Sequence, residues 1–404
     1  MKKMYFFILS LISMVVVLVS CSKRDSVAIT PNTSTTTVDP YAAIKVNFGT
    51  EINPLSWTNY AAQIRPTYIV KDNGINNPII NAKATLGRVL FYDKSLSVTN
   101  TVACANCHKQ EFAFSDTALS SAGVLGGTTD RHSMRLINTR FAEEVHFFWD
   151  ERAATLEAQT TQPIVAHNEM GFSGVSGRDN LTTLLAKLQG IDYYKELFTA
   201  VYGDVNVTET RLQECLSQFI RSIQSFDSRF DSGRALVNND RTNFTNFTTE
   251  ENTGKSLFMT PPVFDANSIR IAGGLGCNAC HRAPEFDIDP NSRNNGVIAS
   301  ISGASVDISV TRSPSLRDVV NANGVPNGPM MHSGGIKNLE TVIAHYAAGI
   351  VNNANLDAKL KPNGRNVQQL NLQAGESAAI IAFLKTLTGK NVYTDKKWAT
   401  PFLK

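Results

Sequence analysis

Two short runs carry the strongest chemistry in this chain. Cys104-Ala-Asn-Cys107-His108 and Cys277-Asn-Ala-Cys280-His281 share the pattern Cys-x-x-Cys-His. Thiols three residues apart on one helical turn can each add to a vinyl group of haem. The next residue, His, then reaches the iron. One such run alone would also suit a zinc knuckle or a redox pair. Two of them, in a chain whose start reads as an export signal, point to two covalently bound c-type haems, because attachment of this type occurs outside the cytoplasm. Four of the six Cys are thereby used. Cys215 falls on the apolar face of a helical run with Leu212, Leu216 and Phe219, which reads as a buried, inert thiol. Six Cys in 404 residues are too few for a disulfide scaffold.

The elements that hold these runs read as helices joined by long loops. Residues 208–226 put Leu212, Cys215, Leu216, Phe219, Ile220, Ile223 and Phe226 on one face. Residues 375–388 do the same with Ile380, Ile381, Phe383, Leu384 and Leu387, and Gly389 follows as a stop. Asn338 is a fitting N-cap for a helix over 338–347 that buries Leu339, Val342, Ile343 and Tyr346. Thr248-x-x-Glu251 is a capping box. Segments 121–131 and 287–305 are rich in Gly, Asn and Pro. A mainly α protein with long loops often wraps a cofactor that supplies part of its core. The length suggests two domains at about 100–200 residues each, and the polar stretch Asn238 to Thr249 divides two halves with one Cys-x-x-Cys-His run apiece. Hydrophobic residues at 42% and charged residues at 18% exclude a disordered chain. A net charge of +3 gives no support to nucleic-acid binding.

Residues 1–20 read as a signal peptide, with Lys2 and Lys3 ahead of an apolar stretch from Tyr5 to Val19. That stretch is shorter than the ~20 residues a membrane span needs. Its end, Leu18-Val19-Ser20-Cys21, resembles the lipobox of bacterial lipoproteins. The resemblance implies cleavage before Cys21, lipid on its thiol and anchoring in the periplasm, with Ser22 directing the protein to the outer membrane. Residues 21–49 then form the lipidated Cys and a flexible tether, low in complexity around Thr33 to Thr37.

The text around the haem runs is specific. Leu86-Gly-Arg-Val-Leu-Phe-Tyr-Asp93 precedes the first. Phe147-Phe-Trp-Asp-Glu-Arg152, Leu156-Glu-Ala-Gln159, Pro163 and Glu169-Met170 follow it. Ser313-Pro-Ser-Leu-Arg317, His332-Ser-Gly334 and Leu339-Glu-Thr-Val342 follow the second. In order and spacing this resembles the bacterial di-haem cytochrome c peroxidase family, including its MauG-like members, over roughly residues 80–390. The resemblance implies two cytochrome c-like helical domains, 50–240 and 241–404, each with one haem facing a cleft. It implies a peroxidatic first haem with His108 as proximal ligand, Glu169 as the acid–base group, Gln159 as the residue that orients peroxide or water, and Pro163 in the pocket. Trp149 matches the Trp between the haems and would pass electrons. The second haem would store or relay electrons, with His281 proximal and Tyr346, as in MauG-like members, as sixth ligand. His345, His332, Met330 and Met331 compete for that position.

Several positions depart from the family. Val124 stands where many members have a distal His, so the first haem is expected to be open at rest, with His132 the nearest alternative ligand. His132 stands where the family has an Asn that helps bind calcium between the haems. Neutral imidazole is a poor ligand for that hard cation, though the loop around Asn327 and Pro329 offers oxygens. Glu151 replaces a common Gly and Ser333 a common Asp.

The resemblance implies reduction of hydrogen peroxide to water with electrons from a small donor protein, a cytochrome c or a cupredoxin. An alternative is a MauG-like oxidase that modifies a partner protein or small molecule through a high-valent di-haem state. A non-enzymatic di-haem electron carrier is the third reading; Glu169 and Gln159 speak against it. A homodimer is left open.

Overall fold

The computed structural model describes residues 39–143 and 146–403. The expected signal peptide and lipobox, and the expected tether as far as residue 38, lie outside them. The rest of the expected tether is corrected: α1 spans Ala42–Phe48, and its Ile44 and Phe48 are fully buried. Burial of these two side chains is joined by the Ala43 and Ile44 N–H groups, which donate to the Glu196 carboxylate (3.0 and 2.8 Å) and anchor the helix start.

The first half is built on a helix pair. α2 (Asn81–Tyr92) packs across α8 (Glu209–Ser222). At the crossing, a Cβ on Gly87 would stand 1.9 Å from the Cys215 carbonyl oxygen, so only glycine allows this approach. Between them come α3 (Cys104–Cys107), α4 (Leu156–Thr160), α5 (Gln162–Val165), α6 (Leu181–Gly190) and α7 (Asp192–Tyr202). α8 ends four residues short of the periodic run that announces it. Asn138 accounts for this: its N–H donates to the Ile223 carbonyl (2.9 Å), and its side chain trades two bonds with the Ser225 backbone. Those groups would otherwise have served a further turn.

The second half repeats the device. After α9 (Arg229–Arg234), α10 (Thr249–Met259) crosses α12 (Glu376–Lys385). A Cβ on Gly254 would meet the Ala379 carbonyl oxygen at 1.8 Å. The capping box is formed: the Glu251 N–H donates to Thr248 Oγ1 (3.2 Å), and the Thr248 N–H to Glu251 Oε2 (2.8 Å). α11 (Leu339–Ala344) starts at Asn338, whose side chain accepts from the Thr341 N–H (2.8 Å). Strands are few. β1 (Pro262–Phe264) pairs antiparallel with β2 (Arg270–Gly273), and β3 (His281–Arg282) with β4 (Asp287–Ile288). The described chain is mainly α.

Two hydrophobic cores result. One gathers side chains between Ile44 and Ile223, the other between Phe230 and Leu387. The C-terminal tail leaves the second and returns to the first, where Val392 and Trp398 are buried. Tyr60 Oη, Arg88 Nε and Tyr92 Oη donate to the carbonyls of Lys397 (2.6 Å), Ala399 (2.7 Å) and Trp398 (2.6 Å). Residues 40–404 form one compact unit. A buried ion pair ties the centre: Arg317 meets Asp231 through both terminal nitrogens (2.9 and 3.0 Å) and donates to the Pro284 carbonyl (2.9 Å).

Candidate active site

α3 is a single turn that sets Cys104 and Cys107 on one side, and the His108 N–H closes it on the Cys104 carbonyl (3.0 Å). His108 Nδ1 lies 2.9 Å from the Met134 carbonyl and 3.2 Å from that of Phe114. Carbonyls only accept, so Nδ1 carries the proton and Nε2 keeps its lone pair. Burial holds the ring's pKa below its usual value. A neutral imidazole oriented by a backbone carbonyl is the form that binds iron.

These three residues border a cavity of about 750 Å³, within the order of 300–1,000 Å³ common for cofactor sites. Gln159 of α4, Pro163 of α5 and Glu169 border the same space. Burial pushes the Glu169 carboxyl up to about 7; Arg152 pulls it down and Asp130 adds to the rise. The Glu169 carbonyl accepts from the Val124 N–H (2.9 Å), while the Val124 side chain is buried in the first core. Val124 thus supports the Glu169 backbone from behind. His132 borders both this cavity and the second one, with Nδ1 3.0 Å from the Ala118 carbonyl and Nε2 3.5 Å from Ser115 Oγ.

In the second half, Cys277–Ala279 form a 3₁₀ turn, Cys280 follows, and His281 opens β3. Cys277 and His281 border a second cavity of about 130 Å³. Burial pushes the His281 ring down to about 4, again the neutral form. The Pro314 backbone carbonyl interacts with this ring and opposes the shift. Tyr346, Met330, Met331 and His332 border this cavity, and His345 does not. Tyr346 sits in a π-helical turn, His345–Gly349, which follows α11 directly. One extra residue in such a turn re-aims a side chain, often at a functional site.

Trp149 borders both cavities. It stands at the tip of a hairpin closed by Phe147 and Ala153, whose N–H groups donate to each other's carbonyls (2.9 and 3.4 Å). Phe148 at φ 72° and Glu151 at φ 55° flank it in the left-handed region. Glycine adopts that conformation at least cost, so Glu151 holds a backbone that a Gly would adopt more readily. Trp149 Nε1 donates to the His132 carbonyl (2.7 Å), and its ring meets His332 edge-on at 6.3 Å.

The residues present fit haem. All four motif thiols are free of disulfides. Burial pushes Cys104 and Cys277 up to about 12, and Cys107 and Cys280 to about 11. They are thiols, whereas a reactive redox pair needs a thiolate. Arg135 borders both cavities; Nη2 donates to the Ser315 carbonyl (3.0 Å) and Nε has no partner. A shielded guanidinium with no carboxylate bonded to it suits a haem propionate. In the second cavity the fit rests on the donor set, not on the volume. For calcium, Asn327 spends its amide on the Asp318 carbonyl (2.8 Å) and Tyr393 Oη (2.9 Å), leaving only Oδ1 unpartnered. Among the described residues no group of three or more His, Cys, Asp and Glu is arranged to hold a metal ion.

Sequence reasoning missed one wall of the first cavity. Ser300, Ile301, Ser305 and Val306, from the second half, border it. Arg131 fastens this loop to Asp307 (Nε to Oδ2, 2.8 Å) and to Ser309 Oγ (2.7 Å), and also pairs with Asp150 (2.6 Å). A polar loop without periodicity gave no signal of this.

The family model for di-haem cytochrome c peroxidase matches residues 81–239. The methylamine utilization protein MauG of Methylophilus methylotrophus is 30% identical over 327 residues, 78% of this chain and 85% of that protein. Cytochrome c551 peroxidase of Nitrosomonas europaea is 25% identical, over 76% of this chain and 80% of that one. Among solved structures, a MauG-like protein associated with microbial copper homeostasis superposes with a TM-score of 0.62 at 25% identity, covering 86% of this chain and 99% of its own. The fold and the paired Cys-His sites therefore define a di-haem oxidoreductase. This chain belongs to the di-haem cytochrome c peroxidase family and is an enzyme of that family.

Proposed function

We propose that this enzyme reduces hydrogen peroxide to two waters at the His108 site, using two protons and two electrons from a small donor protein, a cytochrome c or a cupredoxin. When bound through Cys104–Cys107 and Cys277–Cys280, the haems supply the redox chemistry and the site for peroxide. His108 and His281 hold the irons by their neutral rings. Glu169 takes the proton from one peroxide oxygen and returns it to the other. Gln159 orients peroxide or water by its amide. Trp149 offers an aromatic bridge between the two sites. The observation that carries this reading is Glu169: a carboxyl pushed up to about 7, on the wall of the cavity that His108 borders. Its pKa lies where a proton shuttle works best near neutral pH. The experiment is peroxide consumption with a reduced cytochrome c as donor; absence of turnover in haem-loaded protein sinks the proposal.

A second reading is favoured by Tyr346 and Val124. A phenol bordering the second cavity and the lack of a distal His at position 124 match the MauG-like pattern, in which a partner protein or small molecule is oxidised. Poor oxidation of every donor cytochrome, alongside oxidation of a partner by added peroxide, would select it. In either reading Tyr346 would hold the second iron opposite His281, the halves 50–240 and 241–404 would carry one haem each, and the enzyme would be exported and anchored by lipid on Cys21 in the periplasm.

A further inference from the structure

We infer that Asn295 decides which side chain reaches the iron of the second haem. The inference rests on the reading that this iron takes its sixth ligand from the cavity bordered by His281 and Tyr346. Asn295 touches three of the rival ligands at once. Its Nδ2 donates to Tyr346 Oη (3.1 Å) and to Met331 Sδ (3.3 Å). Its backbone carbonyl engages His345 Nε2 (3.0 Å). Its Oδ1 accepts from the Val297 N–H (3.1 Å). That last bond fixes the amide's orientation, because a backbone N–H only donates. The NH₂ end is the end that meets the two rivals.

The three contacts act differently. The carbonyl occupies the His345 nitrogen and removes it from the cavity. The bond to Met331 occupies a lone pair of a sulfur that is already a weak acceptor and a neutral ligand. The bond to Tyr346 places a donor against an oxygen that must gather negative charge to bind ferric iron. One amide thus detains the thioether and supports the phenol. Both neighbours are held in unusual backbone for this meeting. Met331 has φ 66°, and Tyr346 rides the π-helical turn. Asn295 is a positioning residue: it acts on the iron through its neighbours.

The test uses the haem-loaded protein, read by electron paramagnetic resonance, near-infrared magnetic circular dichroism and redox titration. Asn295→Asp keeps the shape and removes the donor; Asn295→Leu removes the polar group. Each is expected to weaken the wild-type low-spin signal. A second low-spin species with a methionine-type near-infrared band should grow in its place, and the potential of that haem should shift upward. Adding Met331→Leu should abolish the new species. An unchanged signal from the His108 haem shows that the fold is kept. If both Asn295 variants retain the wild-type signal and potential while Tyr346→Phe loses them, the inference is overturned and Tyr346 ligation stands. A new species that survives Met331→Leu also overturns it. If Tyr346→Phe itself leaves the signal unchanged, the ligand reading falls and the inference with it.

Discussion

Glu169 concentrates the chemistry of a single residue. Its carboxyl is pushed up mainly by burial, so the fold favours the neutral form. The sign follows: the folded pKa lies above the unfolded value of about 4.3, so ionising Glu169 costs stability as pH rises from that value through about 7. Glu169→Gln should therefore raise the melting temperature at pH 8 and leave it unchanged at pH 4. The same substitution should lower kcat/KM for peroxide by roughly 10²–10⁴-fold. Wild-type kcat/KM should rise with pH through about 7 as the carboxylate forms; a profile with the same inflection in Glu169→Gln would assign it to another group. The residues of this site were legible where chemistry fixes their spacing, as in Cys-x-x-Cys-His. Arg131, Arg135 and Asn295 were not, because a charged or amide side chain in a loop has many ordinary roles and only its neighbours reveal the special one.

At the scale of elements, the two helix crossings are the sharpest constraint. Gly87→Ala and Gly254→Ala each force a Cβ to within 2 Å of a backbone carbonyl, and neither helix can yield without opening its core. Each should destabilise by about 1–3 kcal/mol or more, measured by denaturant unfolding. Arg317→Leu should cost more, about 3–5 kcal/mol, because it leaves Asp231 buried with its charge uncompensated. A loss below 1 kcal/mol would show that Asp231 does not remain buried and charged once Arg317 is gone. Helices α8, α10, α11 and α12 were readable from periodicity and caps. α6 and α7 escaped although Asn180 caps α6 and Leu184 and Leu188 are buried along it. Their apolar stripe is narrow and interrupted by polar residues. The stop of α8 at Ser222 depends on Asn138, which is distant in sequence and invisible to a local pattern.

Across the whole molecule, two ends of the chain make separate predictions. Cys21→Ser should move the protein from the membrane fraction to the soluble one without changing peroxide turnover; retention in membranes would refute lipid anchoring at that residue. At the other end, a chain stopped after residue 390 loses Val392 and Trp398 from the first core, together with the carbonyls that Tyr60, Arg88 and Tyr92 bond. It should unfold at a lower temperature, with the loss concentrated in helix α2 by hydrogen exchange. The order of halves along the chain suggests two self-contained bodies, but the tail and the loop at Ser300 to Val306 show that the second half also completes the first.

That returning tail sets a schedule for biosynthesis. A chain is made from its N-terminus, so residues 44–223 emerge early but must wait for residues 392–399 before their core can close. Until then α2 lacks these partners, and Gln110, two residues past His108, lacks the Val392 and Asp395 carbonyls to which its amide donates. The half made first is thus the half finished last. A pulse-labelled chain should carry covalent haem on Cys104 and Cys107 before Trp398 becomes protected from protease.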